Sequence, residues 1–301
     1  MQADVQPPAV LDQDNAPLLS DYGKRLLAEG DSWFTFSTRW LPRNSNLLFG
    51  LDVPERTFIA NCATPGDTLR HMLQFQHNPA FAGLLFGAKA RIWDAVLLSA
   101  GGNDLIDAAG VSPRDGNGRL RPAADRLLLT PPEAASGFAG TRFISEPGWA
   151  ALATYLRLNL RQLADARDAG VNRATPMVLH TYHVPAARPA GVAGARLGWL
   201  WAAFQAYGIP VDERQPLTDA LFGRLRALWR AADADSGLPD ALPRVHVFDS
   251  AGVAIQAAEP GVAGISGDWL NEIHLTRGGY RKLGRAMAHW LWPLLRDRYG
   301  V

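Results

Sequence analysis

Four short blocks of the sequence contain the residue types that acyl transfer requires. Ser32 follows Gly30 and Asp31 after an apolar run, in a position that suits a nucleophile. Gly66 precedes a helical pattern, so we expect its N–H to be unpaired and able to face an anion. Asn103 follows two glycines and offers a side-chain N–H donor, and His274 lies in a loop before the last helical pattern, where a base could be held. Each block taken singly is also ordinary turn or capping chemistry, so its meaning depends on whether the chain brings the four together.

The elements that must position these residues are short strands alternating with helices. Continuous apolar runs of about five residues are typical of strands buried on both faces. Such runs lie at 25–29, 57–61, 95–99, 177–181 and 245–249. Helical patterns lie between them, at 68–73, 149–169, 218–232 and 279–299, and Pro293 is expected to bend the last one. This alternation predicts a parallel sheet with helices on both faces.

In a parallel sheet of this kind, ligands bind outside the carboxyl ends of the strands. Three of the four blocks directly follow predicted strands, and the fourth precedes the last helix. We therefore expect them to converge on one edge of the sheet. Together they would supply a nucleophile, two oxyanion donors and a general base.

These blocks resemble those of the SGNH (GDSL-like) hydrolases, a family of esterases and lipases named for Ser, Gly, Asn and His in this chain order. The resemblance is carried by GDSW at 30–33, Gly66, G-x-N-D at 101–104 and the His block at 271–274, and it spans nearly the whole chain. It implies an α/β fold for residues 23–301: a three-layer α/β/α sandwich whose five-stranded, mostly parallel sheet has flavodoxin-like order.

The resemblance also implies an activity, the hydrolysis of carboxylic esters through an acyl-enzyme. Ser32 would attack the carbonyl, and His274 would take its proton and later deliver it to the leaving alcohol. The oxyanion would be held by the N–H groups of Ser32 and Gly66 and by the side chain of Asn103. The expected partner is a small-molecule ester, and no cofactor is implied.

The group that orients His274 is where this sequence departs from the family, which usually has Asp three residues before the His. That position is Asn271 here, which can hold the imidazole but brings no charge. The alternatives are that Asp268, one helical turn further back, or a backbone carbonyl orients the ring, or that the activity is low. The three-residue offset favours Asn271.

Several aromatic and histidine side chains are candidates for the substrate pocket. Trp33, Phe34, Phe36 and Trp40 follow the nucleophile and would either form an apolar wall or pack beneath the sheet edge. After the fourth predicted strand, His180 and His183 flank Tyr182. The H-x-x-H spacing could bind zinc, but a third ligand with suitable spacing is missing, so we expect His180 and His183 to line or support the pocket without a metal. Tyr182 and His183 are the candidates for contact with the substrate.

Three segments fall outside the strand–helix pattern. Residues 1–22 read as a loose N-terminal arm. Residues 105–147 and 183–216 are rich in Gly and Pro and follow predicted strands, and we expect them to be covers that overhang Ser32.

Composition excludes several other classes of protein. Thirty basic and 29 acidic residues give a net charge of +1, which argues against nucleic-acid binding driven by charge. Cys62 is the single cysteine, so an intrachain disulfide is impossible. The sequence has no membrane-spanning apolar run and no signal-peptide pattern, which predicts a cytoplasmic location unless a signal was removed before residue 1.

Two functional alternatives remain, a carbohydrate O-deacetylase and a non-catalytic binding module, and the oligomeric state is open.

Overall fold

A six-stranded, fully parallel sheet lies at the centre of the computed structural model, which describes residues 1–35, 45–76, 78–134, 138, 140–192 and 197–301. The strands are β1 (Asp4–Gln6), β2 (Lys24–Gly30), β3 (Thr57–Asn61), β4 (Ala95–Ser99), β5 (Met177–His180) and β6 (Val245–Phe248). Their spatial order is β1-β3-β2-β4-β5-β6. The five strands predicted from apolar runs are confirmed, and among themselves they have the flavodoxin-like order, with β1 added at one edge.

The N-terminal arm was predicted to be loose, and this is wrong. β1 pairs in parallel with β3, from Asp4 opposite Phe58 to Gln6 opposite Ala60. The amino group of Met1 also donates to the carbonyl oxygen of Val53 at 2.6 Å. β1 has only three residues and one apolar side chain, because an edge strand is covered on fewer sides than a central one, so its pattern resembles that of a loop.

Helices flank the sheet, and the four predicted ones are present with shifted ends. The helices are α1 (Ser32–Thr35), α2 (Leu47–Gly50), α3 (Leu69–Leu73), α4 (Pro79–Leu85), α5 (Gly102–Gly110), α6 (Glu146–Asp168), α7 (Trp199–Ala206), α8 (Val211–Ala232) and α9 (Arg277–Leu294). Side-chain caps fix several of the starts: Thr68, Ser145 and Thr276 each accept a backbone N–H from the first turn of α3, α6 and α9. Near Pro293 the α-helical pattern gives way to a π-helical turn, Leu295–Tyr299, rather than continuing as one bent helix.

The two predicted cover segments contain regular structure. Residues up to Gly110 of the first belong to α5, and the described part that follows has short helical turns and the isolated bridges Arg114–Leu120 and Leu128–Ile144. The second contains α7 and the start of α8. Their Gly and Pro content marks the connections and helix starts rather than a lack of structure.

In the part of the chain that the structure describes, no helix is long and apolar enough to cross a membrane. The cytoplasmic location stays a prediction.

Candidate active site

The nucleophile candidate and the base candidate lie in hydrogen-bond contact. Ser32 is the first residue of α1, immediately after β2, and its Oγ lies 2.7 Å from Nε2 of His274. His274 lies in the loop before α9, 242 residues further along the chain. Both side chains are buried. A serine hydroxyl this close to an imidazole nitrogen can transfer its proton to the ring as it attacks an electrophile.

Asn271 holds the other ring nitrogen. Its Oδ1 lies 3.1 Å from Nδ1 of His274 and also accepts the backbone N–H groups of Ile273 and His274, at 3.1 and 2.8 Å. Because an amide oxygen can only accept, we assign the ring proton to Nδ1, which leaves the Nε2 lone pair facing Ser32. This is the tautomer that a general base needs.

The Asp268 carboxylate, the alternative for orienting the ring, binds other groups. Its Oδ2 lies 2.6 Å from Nζ of Lys282 on α9 and accepts the backbone N–H of Gln256 at 2.7 Å. The Asp268 carboxylate is therefore engaged by Lys282, a cation fourteen residues away in sequence, while Asn271 faces the imidazole.

The electrostatic environment keeps the His274 side chain neutral. Burial lowers the pKa of His274 from its ordinary 6.5 to about 3. Asn271 orients the ring but, being uncharged, gives the imidazolium none of the charge stabilisation that a carboxylate would supply.

Asn103 lies beside the nucleophile, in the first turn of α5. It lines a small cavity next to Ser32, and its Nδ2 donates to the backbone oxygen of Asp67 at 3.0 Å. A side-chain amide has two N–H groups, so this bond fixes the amide and leaves a second donor.

Gly66 lies on an exposed turn, two residues before the Thr68 cap of α3. The turn of Thr64 to Asp67 is closed by a bond of 3.2 Å from the N–H of Asp67 to the oxygen of Thr64, and Gly66 has a φ of +85° at its third position. Glycine favours this conformation in a type II turn. The helix begins only at Leu69, after the Thr68 cap, and the role of Gly66 as an oxyanion donor stays a prediction.

A buried polar network beneath Ser32 was missed by the sequence analysis. Asp31 accepts the hydroxyl groups of Ser99 at 2.7 Å and Tyr182 at 2.5 Å, and the backbone N–H of Trp33 at 2.9 Å. Burial raises the pKa of Asp31 to about 6, whereas these donors lower it. The sequence does place Asp31, Ser99 and Tyr182 at or just after strand ends. The residues around each of them give no indication that the three side chains meet.

His180 extends this network, and both histidines of the H-x-x-H pair contact other groups of the protein. The N–H of Tyr182 donates to Nδ1 of His180 at 3.2 Å, which places the ring proton on Nε2, 2.9 Å from Oγ of Ser99. Burial lowers the pKa of His180 to about 3. Nε2 of His183 instead lies 3.2 Å from the backbone oxygen of Val253.

The predicted pocket residues divide between the cavity and the core. Trp33, Tyr182 and His183 line the cavity beside Ser32, whereas Phe34 is fully buried and its ring lies 5.9 Å from that of His180. Of the two alternatives for Phe34, the structure favours packing in the core. Phe36 and Trp40 lie outside the described residues.

Both cover segments contribute to the surroundings of Ser32. Ile106 of α5, from the first segment, and Pro185, from the second, line the cavity. Trp199 of the second segment lies edge-on to His274, with ring centroids 5.8 Å apart and planes at 77°. The space open to the centre of a water molecule in this cavity is about 20 Å³, enough for roughly one water.

Comparison with known proteins gives similarity at the level of the fold. Neither a protein-family model nor a curated protein matches this sequence. An extracellular lipase from Streptomyces rimosus is 15% identical, covers 87% of this chain and 98% of its own, and has a TM-score of 0.46. A putative arylesterase from Agrobacterium tumefaciens str. C58 is 18% identical, covers 89% and 98%, and has a TM-score of 0.44. A carbohydrate acetylesterase from Sinorhizobium meliloti is 13% identical, covers 90% of this chain and 99% of its own, and has a TM-score of 0.42.

The order of the parallel strands agrees with the SGNH-like fold that the sequence resemblance implies. Three of the four sequence blocks follow the carboxyl ends of strands, and the His274 block lies in the loop before α9. At identities this low, the substrates of the similar proteins are not carried over to this chain, and its chemistry is inferred from its own side chains.

Proposed function

We propose that this protein hydrolyses carboxylic esters through an acyl-enzyme. The observation that carries the proposal is the chain of two contacts from Oγ of Ser32 to Nε2 of His274, at 2.7 Å, and from Nδ1 to Oδ1 of Asn271, at 3.1 Å. These contacts connect a nucleophile to its base and the base to the group that orients it, as nucleophilic catalysis requires.

The reaction follows from these positions. Ser32 attacks the ester carbonyl while Nε2 of His274 takes the hydroxyl proton. The resulting oxyanion is held by the N–H groups of Ser32 and Gly66 and by the free N–H of the Asn103 amide. When the intermediate collapses, His274 returns the proton to the leaving alcohol, and the acyl group stays on Ser32. Water then attacks the acyl carbonyl while His274 takes its proton, the bond to Oγ breaks to release the acid, and His274 returns the proton to Ser32.

The test is labelling and turnover with a serine-to-alanine variant. We expect a fluorophosphonate probe to label the wild-type protein on the peptide that contains Ser32, as seen by mass spectrometry, and p-nitrophenyl acetate to be hydrolysed. Ser32→Ala should abolish both while its circular dichroism spectrum and Tm stay near wild type, since loss of a nucleophile costs orders of magnitude in rate.

Two outcomes contradict the proposal. One is a Ser32→Ala variant that keeps more than about a tenth of the wild-type rate. The other is a wild-type protein that binds esters without labelling or turnover, which would indicate a binding module.

A further inference from the structure

Two fully buried charged side chains, Arg188 and Glu272, join the second cover segment to the loop of the base. Glu272 lies between Asn271 and His274 in the chain, and Arg188 lies in the segment that leads to α7. Burying a charge without partners is costly, so the partners of these two groups indicate what they do.

The Glu272 carboxylate binds the backbone of the cover segment. Its Oε1 accepts the N–H groups of Arg188 at 3.2 Å and Trp201 at 2.8 Å, and its Oε2 accepts that of Leu200 at 2.9 Å. Leu200 and Trp201 are in the first turn of α7, where N–H groups lack partners within the helix and a negative charge is favourable. Glu272 thus caps α7 from another part of the chain.

The Arg188 guanidinium binds the backbone of the base loop in return. Its Nη2 donates to the carbonyl oxygens of Asn271 at 2.6 Å and Trp269 at 3.5 Å. Its Nη1 donates to those of Val262 at 3.0 Å and Gly264. Each charged side chain therefore satisfies the backbone of the segment that carries the other, and one of these bonds ends on the residue that orients His274.

This arrangement also determines where Trp199 lies. Trp199 is the first residue of α7, next to the N–H groups that Glu272 holds, and it is partly buried edge-on against the His274 ring. His274 must reach the leaving oxygen of an ester, so the alcohol part of the substrate has to pass close to this ring. Because Trp199 packs against the ring that must reach this leaving oxygen, we place it on the alcohol side.

We propose that Arg188 and Glu272 are positioning residues that fix the loop of the base to α7, and that Trp199 is the wall against which a ring-bearing alcohol of the ester lies. This inference rests on the proposed ester hydrolysis. It names the class of alcohol, an aromatic or sugar ring, because an indole face packs best against flat or cyclic groups.

The first experiment measures leaving-group selectivity. We expect wild type to favour benzyl acetate over ethyl acetate in kcat/KM, two esters whose leaving alcohols have similar acidity, and Trp199→Leu to reduce that ratio roughly twofold to tenfold. Glu272→Gln and Arg188→Met should reduce the ratio as well and lower kcat by about 10²-fold, because the base loop and α7 lose their register.

Two matched controls separate positioning from loss of stability. Glu133→Gln removes a carboxylate bound by another buried arginine, Arg126, and Trp149→Leu removes a tryptophan at the start of α6. Both should lower Tm without changing the selectivity ratio. If Glu272→Gln behaves like Glu133→Gln, with lower Tm and an unchanged ratio, the positioning role is overturned.

A second measurement tests the reciprocal bonds of Arg188 and Glu272 without relying on catalysis. Hydrogen exchange should accelerate in both Glu272→Gln and Arg188→Met, at the amides of Leu200 and Trp201 and at those of 269–274. Acceleration confined to the mutated segment would overturn the reciprocal arrangement. If the wild-type protein has no ester turnover but the variants show this coupled exchange, the proposed function and the role of Trp199 are refuted. The reciprocal bonds of Arg188 and Glu272 would still hold the two segments together.

Discussion

At the scale of single residues, the base is held by an amide where a carboxylate would also fit. Oδ1 of Asn271 takes three N–H groups, two from the backbone and one from the His274 ring. This geometry fixes the tautomer, while burial and the lack of charge on Asn271 leave the imidazolium poorly stabilised.

Asn271→Asp is expected to retain or raise kcat and to move the acid limb of kcat/KM to higher pH. In wild type the pKa of His274 is lowered to about 3, so protonation of the base should inactivate the enzyme only well below pH 6.5. A carboxylate beside the ring favours its charged form and raises its pKa, so activity would be lost at a higher pH as the solution is acidified.

The pH–rate profiles of wild type, Asn271→Asp, Asn271→Ala and Asp268→Asn test this prediction. Asn271→Ala should lower kcat by about 10²-fold through misorientation of the ring, whereas Asp268→Asn should affect stability more than kcat. An acid limb at the same pH in wild type and Asn271→Asp would contradict the assignment.

Asn103→Ala is expected to lower kcat by about 10²–10³ with little change in KM, because an oxyanion donor acts on the transition state. Steady-state kinetics with p-nitrophenyl acetate measure both constants. A rise in KM alone would mean that Asn103 binds substrate and transition state equally, and would remove it from the oxyanion hole.

At the scale of elements, the carboxyl ends of the strands present the site, and the connection between β4 and α5 is only two residues long. Gly101 precedes α5 with a φ of +94°, and a Cβ there would lie 2.5 Å from Cζ2 of Trp229 on α8. This close approach lets α5 carry Asn103 directly beside Ser32.

Gly101→Ala is therefore expected to lower the free energy of unfolding by about 1–3 kcal/mol, through both the strained φ and the overlap with Trp229. Gly223→Ala is a matched control, since Gly223 is exposed within α8 and a Cβ there meets nothing within 4 Å. It should stabilise the protein by up to about 1 kcal/mol. Urea denaturation of the two variants measures the difference, and equal effects would contradict this account of Gly101.

At the scale of the whole molecule, the cavity beside Ser32 is built from distant parts of the chain. Ile106 of α5, Pro185 of the second cover segment and Phe222 of α8 line it together with Ser32 and Asn103. The open space of about 20 Å³ accommodates a group of about the size of one water molecule. On the proposed mechanism, this small cavity predicts a short acyl group.

We expect the wild-type protein to hydrolyse p-nitrophenyl acetate with a higher kcat/KM than the butyrate or octanoate. Phe222→Ala removes an aromatic ring from the cavity wall and should shift the preference toward longer chains by about tenfold or more, in line with 1–3 kcal/mol for each methylene accommodated. The chain-length series on both proteins measures this shift. A wild-type preference for octanoate would show that the acyl chain lies elsewhere.

The amino-acid sequence by itself determined the five main strands, the alternation with helices and the blocks around Ser32, Asn103 and His274. Apolar runs, helix caps and turn residues act over a few neighbouring positions, so these features can be predicted from local patterns. The convergence of the blocks followed from one general rule, that parallel strands present their carboxyl ends at one edge.

Only the tertiary structure decided the features that depend on contacts between distant segments. β1 becomes a strand because β3 offers it an edge, and Asn271 faces His274 while Lys282 engages the Asp268 carboxylate. The reciprocal bonds of Arg188 and Glu272 join residues 84 positions apart. Whether such groups meet depends on how the helices and loops pack over the sheet, and local periodicity carries no information about that packing.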